Sequence, residues 1–291
     1  MYLQISDAAY SQLGDFLERR SGIVLGANKK YLVISRLTPL VDEFRLGTLD
    51  RLVKEAVEGF SPRIRTAVLD AMTTNETLWF RDGYPFEILK ETIFPELKDK
   101  CRLQPIRIWS AACSSGQEPY SIAITAIEAQ NLGRLGPLGV HITATDLSET
   151  VLAKARSGRY DGLAIERGLS LQKRRMYFRE CGNSGIMEVV PAVKRSVSFR
   201  HINLLESFAS LGNFEVVFCR NVLIYFSQEV KERIIRQIAD VLVPGGYLFL
   251  GSSESMSVYD KFEMIHLPHG IVYRRKDGGA AKPTLPVRLG F

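Results

Sequence analysis

Four short apolar runs constrain this chain most: Ile106–Ala111, Val140–Asp146, Phe214–Cys219 and Tyr247–Leu250. Helical stretches lie between them, one carrying Ile122, Ile124, Ala126 and Ile127, another spanning 228–243. Apolar strands alternating with helices predict a parallel sheet covered by helices on both faces. A Rossmann-like α/β fold is therefore expected. Residues Phe262–His266 and Ile271–Arg275, separated by Pro268–Gly270, predict an antiparallel hairpin that closes the fold.

Before Met72 the pattern is helical throughout. Ser6 or Asp7 can cap a first helix with Tyr10, Leu13, Phe16 and Leu17 on one face. A second helix starts near Asn28, with Leu32, Leu37, Leu40, Val41 and Phe44 as its apolar stripe, and Gly47 breaks it. Leu49, Leu52, Val53 and Val57 mark a third, and Ser61-Pro62 reads as a cap followed by Pro at the first position of a fourth. An all-α N-terminal domain over 1–72, a linking segment over 73–90, and an α/β domain over 91–275 are expected. Within the last, the turn cluster Gly182–Gly185 and the short runs Glu188–Val190 and Val197–Arg200 predict a small antiparallel β-subdomain over about 179–202. The Gly-, Pro- and Lys/Arg-rich residues 276–291 predict a disordered tail.

Charge narrows the partners. The net charge is +6, and residues 151–200 alone carry 11 basic and 4 acidic side chains. Aromatic interleaving there is thin (Tyr160, Tyr177, Phe178, Phe199), so base stacking is not indicated and nucleic acid is not the expected partner. Cys101, Cys113, Cys181 and Cys219 are widely spaced, with no zinc spacing and no disulfide framework. Reduced thiols in a cytoplasmic protein are expected, and no metal. The first residues lack the basic-then-apolar pattern of a signal peptide. With no exposed apolar stripe evident, a monomer is expected.

Ligands of open α/β sheets bind at the carboxyl ends of the strands. The first strand ends in the small-residue loop Ser110–Gly116, which is neither GxGxxG nor a P-loop. Glu118 follows, where a phosphate would be repelled. Asp146 ends the second strand, where an acid commonly holds ribose hydroxyls, although it could instead cap the helix 147–156. A nucleoside without phosphates and with a positive charge fits, and S-adenosylmethionine is such a ligand.

Four segments in order carry a family resemblance: Thr73–Asp82 (TTNETLWFRD), Ser110–Ser121 (SAACSSGQEPYS), Ala144–Asp146 and Cys219–Phe226 (CRNVLIYF). Together the chain resembles the CheR family of chemotaxis receptor methyltransferases over roughly residues 5–275. The resemblance implies a class I S-adenosylmethionine-dependent fold with an inserted β-subdomain behind a helical domain. It also implies methyl transfer to glutamates on the cytoplasmic helices of methyl-accepting chemoreceptors, giving glutamate methyl esters and S-adenosylhomocysteine. Membrane contact would arise only through receptors, and in some members the β-subdomain grips a receptor's C-terminal peptide. Trp79 stands where the family often has Phe, and Gln117 where Glu is common.

Carried over by motif, the expected cofactor-binding residues are Asn75, Thr77, Arg81, Ala111, Gly116, Glu118, Asp146, Asn203, Leu204, Arg220 and Asn221. Arg81 would pair with the cofactor's carboxylate, or else form a surface ion pair with Asp82 or Glu87. Tyr225 would orient the incoming carboxylate, or else pack as a core aromatic; Tyr225 and Arg81 are the catalytic candidates. On the helical domain Lys29, Lys30, Arg36, Arg45 and Arg51 are candidates for meeting an acidic receptor bundle. Rival expectations are a methyltransferase for RNA or a small molecule and a non-catalytic cofactor-binding module. A nicotinamide oxidoreductase is disfavoured by the missing glycine fingerprint.

Overall fold

The computed structural model describes residues 4–182, 185–256 and 260–277. Four helices open the chain: α1 (Asp7–Ser21), α2 (Lys30–Glu43), α3 (Leu49–Val57) and α4 (Pro62–Met72). The starts of α1, α3 and α4 follow from local chemistry. The side chains of Ser6, Thr48 and Ser61 accept the orphan N–H groups of Ala9, Arg51 and Ile64. Gly22, at φ 76°, closes α1 in the left-handed conformation. Leu13, Leu17, Val33, Leu37, Leu49, Leu52, Val53 and Val68 are completely buried between the four helices.

The strands are β1 (Ile106–Ala111), β2 (Val140–Asp146), β3 (Arg159–Tyr160), β4 (Phe178–Cys181), β5 (Ile186–Val189), β6 (Val197–His201), β7 (Phe214–Cys219), β8 (Leu242–Phe249), β9 (Phe262–Leu267) and β10 (Gly270–Arg275). Seven form one sheet in the order β6-β2-β1-β7-β8-β10-β9. The first five are parallel, and β9 and β10 are the expected hairpin, antiparallel at the edge. The strand order reverses between β1 and β7, which puts a crevice at their carboxyl ends. Apolar side chains fill both faces, with Phe218 stacked on Phe249 at 4.5 Å on one side and Trp109 meeting Phe208 edge-on at 4.8 Å on the other. Among the described residues no helix is long and apolar enough to cross a membrane.

Two boundaries differ from expectation. β8 begins at Leu242 rather than Tyr247. Phe214 pairs with Leu242 and Val216 with Tyr247, so Pro244-Gly245-Gly246 lies within a bulged strand. A Cβ on Gly246 would sit 3.1 Å from the Glu215 carbonyl oxygen, so glycine permits that approach.

The β-subdomain expected over 179–202 is the second departure. The small sheet has the order β3-β5-β4 and draws on residues 159–189. Val197–His201 leaves it and pairs parallel to β2 in the large sheet, Ile142 opposite Val197. Between β5 and β6, Pro191–Lys194 is a helical turn that carries the chain back to the large sheet. Of the expected turn Gly182–Gly185, Asn183 and Ser184 lie outside the described residues, and so does the expected tail beyond Asp277.

Candidate functional site

The carboxyl ends of β1, β2 and β7 open into a cleft of about 920 Å³, including its mouth. Three segments shape its floor. After β1 the chain turns through Ala112 and Ser114, both at positive φ (58° and 50°), and the Cys113 N–H donates to the Thr145 carbonyl at 2.8 Å. After β2, Asp146 stays buried while its carboxylate accepts N–H groups from Ser114 (2.8 Å) and Ser148 (3.0 Å). After β7 come Arg220, Asn221 (φ 58°) and a 3₁₀ turn, Leu223–Tyr225.

Asn75, Thr77, Arg81, Glu118, Asp146, Asn203, Leu204, Arg220, Asn221 and Tyr225 all line the cleft. Ala111 and Gly116 do not. Ala111 is buried inside β1. Gly116 precedes the helix Gln117–Asn131 at φ 96°, and a Cβ there would lie 3.0 Å from Ala155 Cβ and 3.1 Å from Tyr160 Oη. Its smallness seats the loop against the neighbouring helix Glu149–Ser157.

Arg220 is the ionic centre of the floor. Its side chain is 1% exposed and reaches Asp82 at 2.7 Å, Glu118 at 3.0 Å and the Arg81 carbonyl at 3.0 Å. Its Nε is buried without a protein partner among the described residues. Burial raises the Glu118 carboxyl, against the pull of Arg220 and the Ser110 hydroxyl, which donates at 2.8 Å. Burial likewise raises Asp146, against the amides of Ser148, Ser114 and Leu147. Two desolvated carboxylates gain most from a cationic ligand, which restores their preference for the charged form.

Of the paired alternatives, Ser148 caps the helix after β2 and Asp146 supports that cap by accepting the Ser148 N–H. Arg81 pairs with neither Asp82 nor Glu87, which take Arg220 and Lys90. It donates to the Glu76 carbonyl at 3.2 Å and faces the cleft. Tyr225 is half-buried at the cleft wall rather than packed in the core. Trp79, in contrast, is fully buried; its indole N–H donates to the Ala164 carbonyl at 3.0 Å and its ring meets Tyr160 and Phe178 edge-on. Its extra bulk and donor thus tie the cleft segment to the small sheet.

The helical domain also reaches the cleft, which the sequence did not signal. Ser21 and Ile23 line it. Val24 N–H donates to the Tyr225 carbonyl at 2.9 Å, Ile23 bridges Phe226, and Asn203 Nδ2 donates to the Arg20 carbonyl at 2.7 Å. Arg36, a candidate for partner docking, is instead turned inward. It donates to the carbonyls of Met72 and Thr73 and to Thr74 Oγ1 at 2.9–3.0 Å. Thr73, Thr74 and Asn75 line the cleft, and the Asn75 carbonyl accepts the Ser114 hydroxyl at 2.9 Å. One helical-domain arginine therefore steadies the linker that forms a cleft wall.

The residues fit S-adenosylmethionine. The site has a buried acid, Asp146, a mostly buried acid in the first helix turn, Glu118, where a phosphate site would have none, and an Arg220 donor without a protein partner among the described residues.

A family profile described as the CheR methyltransferase, SAM binding domain, matches residues 75–271, and one described as the CheR methyltransferase, all-alpha domain, matches residues 8–73. The chain is 52% identical over 276 residues to a chemotaxis protein methyltransferase of Vibrio parahaemolyticus, covering 94% of this chain and 99% of that one. It is 50% identical over 277 residues to chemotaxis protein methyltransferase 1 of Pseudomonas aeruginosa, covering 94% and 100%. It is 37% identical over 258 residues to the chemotaxis protein methyltransferase of Salmonella typhimurium, covering 88% and 86%.

Proposed function

The chain belongs to the CheR methyltransferase family, with S-adenosylmethionine as cofactor, and we propose that it methylates glutamate side chains on the cytoplasmic helices of chemoreceptors. The observation that carries this is the cleft at the ends of β1, β2 and β7, where acids suited to a cationic nucleoside share one lining with the half-buried Tyr225. When bound, the cofactor supplies an electrophilic methyl group on a positive sulfur.

The rest falls to the protein's own side chains. Asp146 holds the ribose hydroxyls, Glu118 the ammonium, and Arg81 the carboxylate of the methionine part. Asn75, Thr77, Asn203, Leu204, Arg220 and Asn221 complete the walls, and Tyr225 orients the incoming glutamate through its hydroxyl. A glutamate with an ordinary pKa near ~4.3 is already ionised at pH 7, so no general base is needed. Its carboxylate oxygen would take the methyl group while the bonding pair stayed on sulfur, so the protein's own side chains need move no proton and have only to orient and desolvate. Rate then comes from alignment and water exclusion, and orientation alone can supply roughly 7–11 kcal/mol.

The substrate meets the protein as an acidic helical bundle, and the enzyme works in the cytoplasm as a monomer. The edges of the small sheet, β3 and β4, offer backbone to a receptor's C-terminal peptide by strand addition. The test is transfer of tritiated methyl from labelled cofactor to membranes containing chemoreceptors, followed by mild base. Methanol released by base is the expected result. Label that survives base, or goes to RNA instead, overturns the glutamate-ester assignment. Cofactor binding with no transfer to any of a panel of receptors supports a non-catalytic module instead.

A further inference from the structure

The segment after β7 must present Arg220, Asn221 and Tyr225 to the cleft without regular structure to hold it. Asn221 sits at φ 58°, in the left-handed region that asparagine tolerates better than other non-glycine residues but that the chain adopts here only with specific contacts to select it. Those contacts come from one carboxylate beyond the end of β8. Glu254 Oε2 accepts the Asn221 N–H at 2.7 Å and the Gly251 N–H at 2.8 Å, and Oε1 accepts the Ile224 N–H at 3.2 Å. The Glu254 N–H donates back to the Gly251 carbonyl at 2.9 Å. Gly251 makes room for this arrangement. A Cβ there would lie 2.7 Å from Asn221 Nδ2 and 2.8 Å from Glu254 Oε2. Glu254 itself does not line the cleft.

We infer that Glu254 is a positioning residue for methyl transfer, whose two oxygens hold two different parts of the machinery. Oε2 fixes Asn221, on the cofactor side. Oε1 fixes Ile224 and so the 3₁₀ turn that carries Tyr225, on the side of the incoming carboxylate. The assignment of Tyr225 rests on the glutamate-methylation proposal; the hold on Asn221 does not. Carboxylates that accept backbone amides make the stronger class of hydrogen bonds, so each loss should be visible.

Two substitutions separate the oxygens. Glu254→Gln keeps one acceptor oxygen, which stays with the two amides of Asn221 and Gly251, and sets an NH₂ against Ile224. Its kcat should fall about tenfold while the cofactor Kd stays within about twofold. Hydrogen exchange should quicken at the Ile224 amide and not at Asn221. Glu254→Ala releases both, so the cofactor Kd by calorimetry should also weaken about tenfold. An alanine variant with the wild-type Kd, or a glutamine variant with wild-type kcat and Ile224 exchange, overturns the inference. So does a glutamine variant in which Kd weakens as much as kcat falls, because the oxygens would then not be divided. If the alanine variant fails to fold, the glutamine variant decides alone. A wild-type protein that binds cofactor but esterifies no receptor removes the substrate proposal only. Calorimetry and exchange on the variants then still judge the hold on Asn221.

Discussion

Replacing Arg220 by methionine removes the positive charge beneath the cleft while keeping most of the side chain's length. Three contacts disappear, to Asp82 at 2.7 Å, Glu118 at 3.0 Å and the Arg81 carbonyl at 3.0 Å. The two acids lose unequally. Asp82 is 27% exposed and regains water, whereas Glu118 is 14% exposed and keeps mainly the Ser110 hydroxyl. Breaking a buried pair by removing one partner costs about 3–5 kcal/mol, and most of that should come from Glu118.

The loss should depend on pH, with a definite sign. Burial already raises the Glu118 carboxyl and Arg220 pulls it down, so the substitution raises it further. An acid whose folded pKa exceeds its unfolded one contributes stability below the unfolded pKa, and that contribution is lost as pH rises through the folded pKa. The deficit of Arg220→Met against wild type should thus be full near pH 8 and shrink as pH falls toward 5. Urea unfolding followed by tryptophan fluorescence measures it, since Trp79 and Trp109 are both fully buried in the α/β part. Adding Glu118→Gln to the variant should recover part of the loss. A loss below about 1 kcal/mol at pH 8, or one that grows as pH falls, refutes the ionic account of the floor.

Two further outcomes are expected. Gly116→Ala should cost about 1–3 kcal/mol in urea unfolding, because φ 96° is strained for alanine and its Cβ would press on Ala155 and Tyr160; an unchanged midpoint would remove that account. The Glu188 carboxyl is held down to about 2, chiefly by its hydrogen bond from Lys194, then by Cys181 and Arg159. Its contribution to stability is present above the ordinary value of 4.5 and fades as pH falls toward 2. A carboxyl NMR titration with its midpoint near 4.5 would contradict this.

What the sequence disclosed was mostly local. Ser61-Pro62 read as a helix start because capping is decided within four residues, and β1 and β2 read as buried strands because burial leaves its mark on every residue of a strand. The motif residues Asn75, Arg81, Glu118, Asp146 and Asn221 converge on one cleft. Pairing across the chain left no such mark. Val197–His201 has the same apolar spacing whether it joins a local hairpin or the edge of the large sheet, and only the helical turn before it decides. Arg36 and a docking arginine look alike until the carbonyls of Met72 and Thr73 are in place. Glu254 meets Asn221 from 33 positions away, in a stretch of small polar residues with no periodicity to single it out.

The bridge between Ser21–Val24 and the Tyr225 segment bears on how this protein can be taken apart and recombined. The linker at 73 is a seam where an engineer could exchange one helical domain for another. A graft there would keep the α/β fold but replace Ser21 and Ile23 in the cleft, the Val24 N–H on the Tyr225 carbonyl and the Arg36 hold on Thr73. The two parts are separate cores sharing one working surface. A successful chimera would have to carry the residues at 20–24 and 36 as a matched set with 203 and 222–226, so the helical domain and the cleft are inherited together.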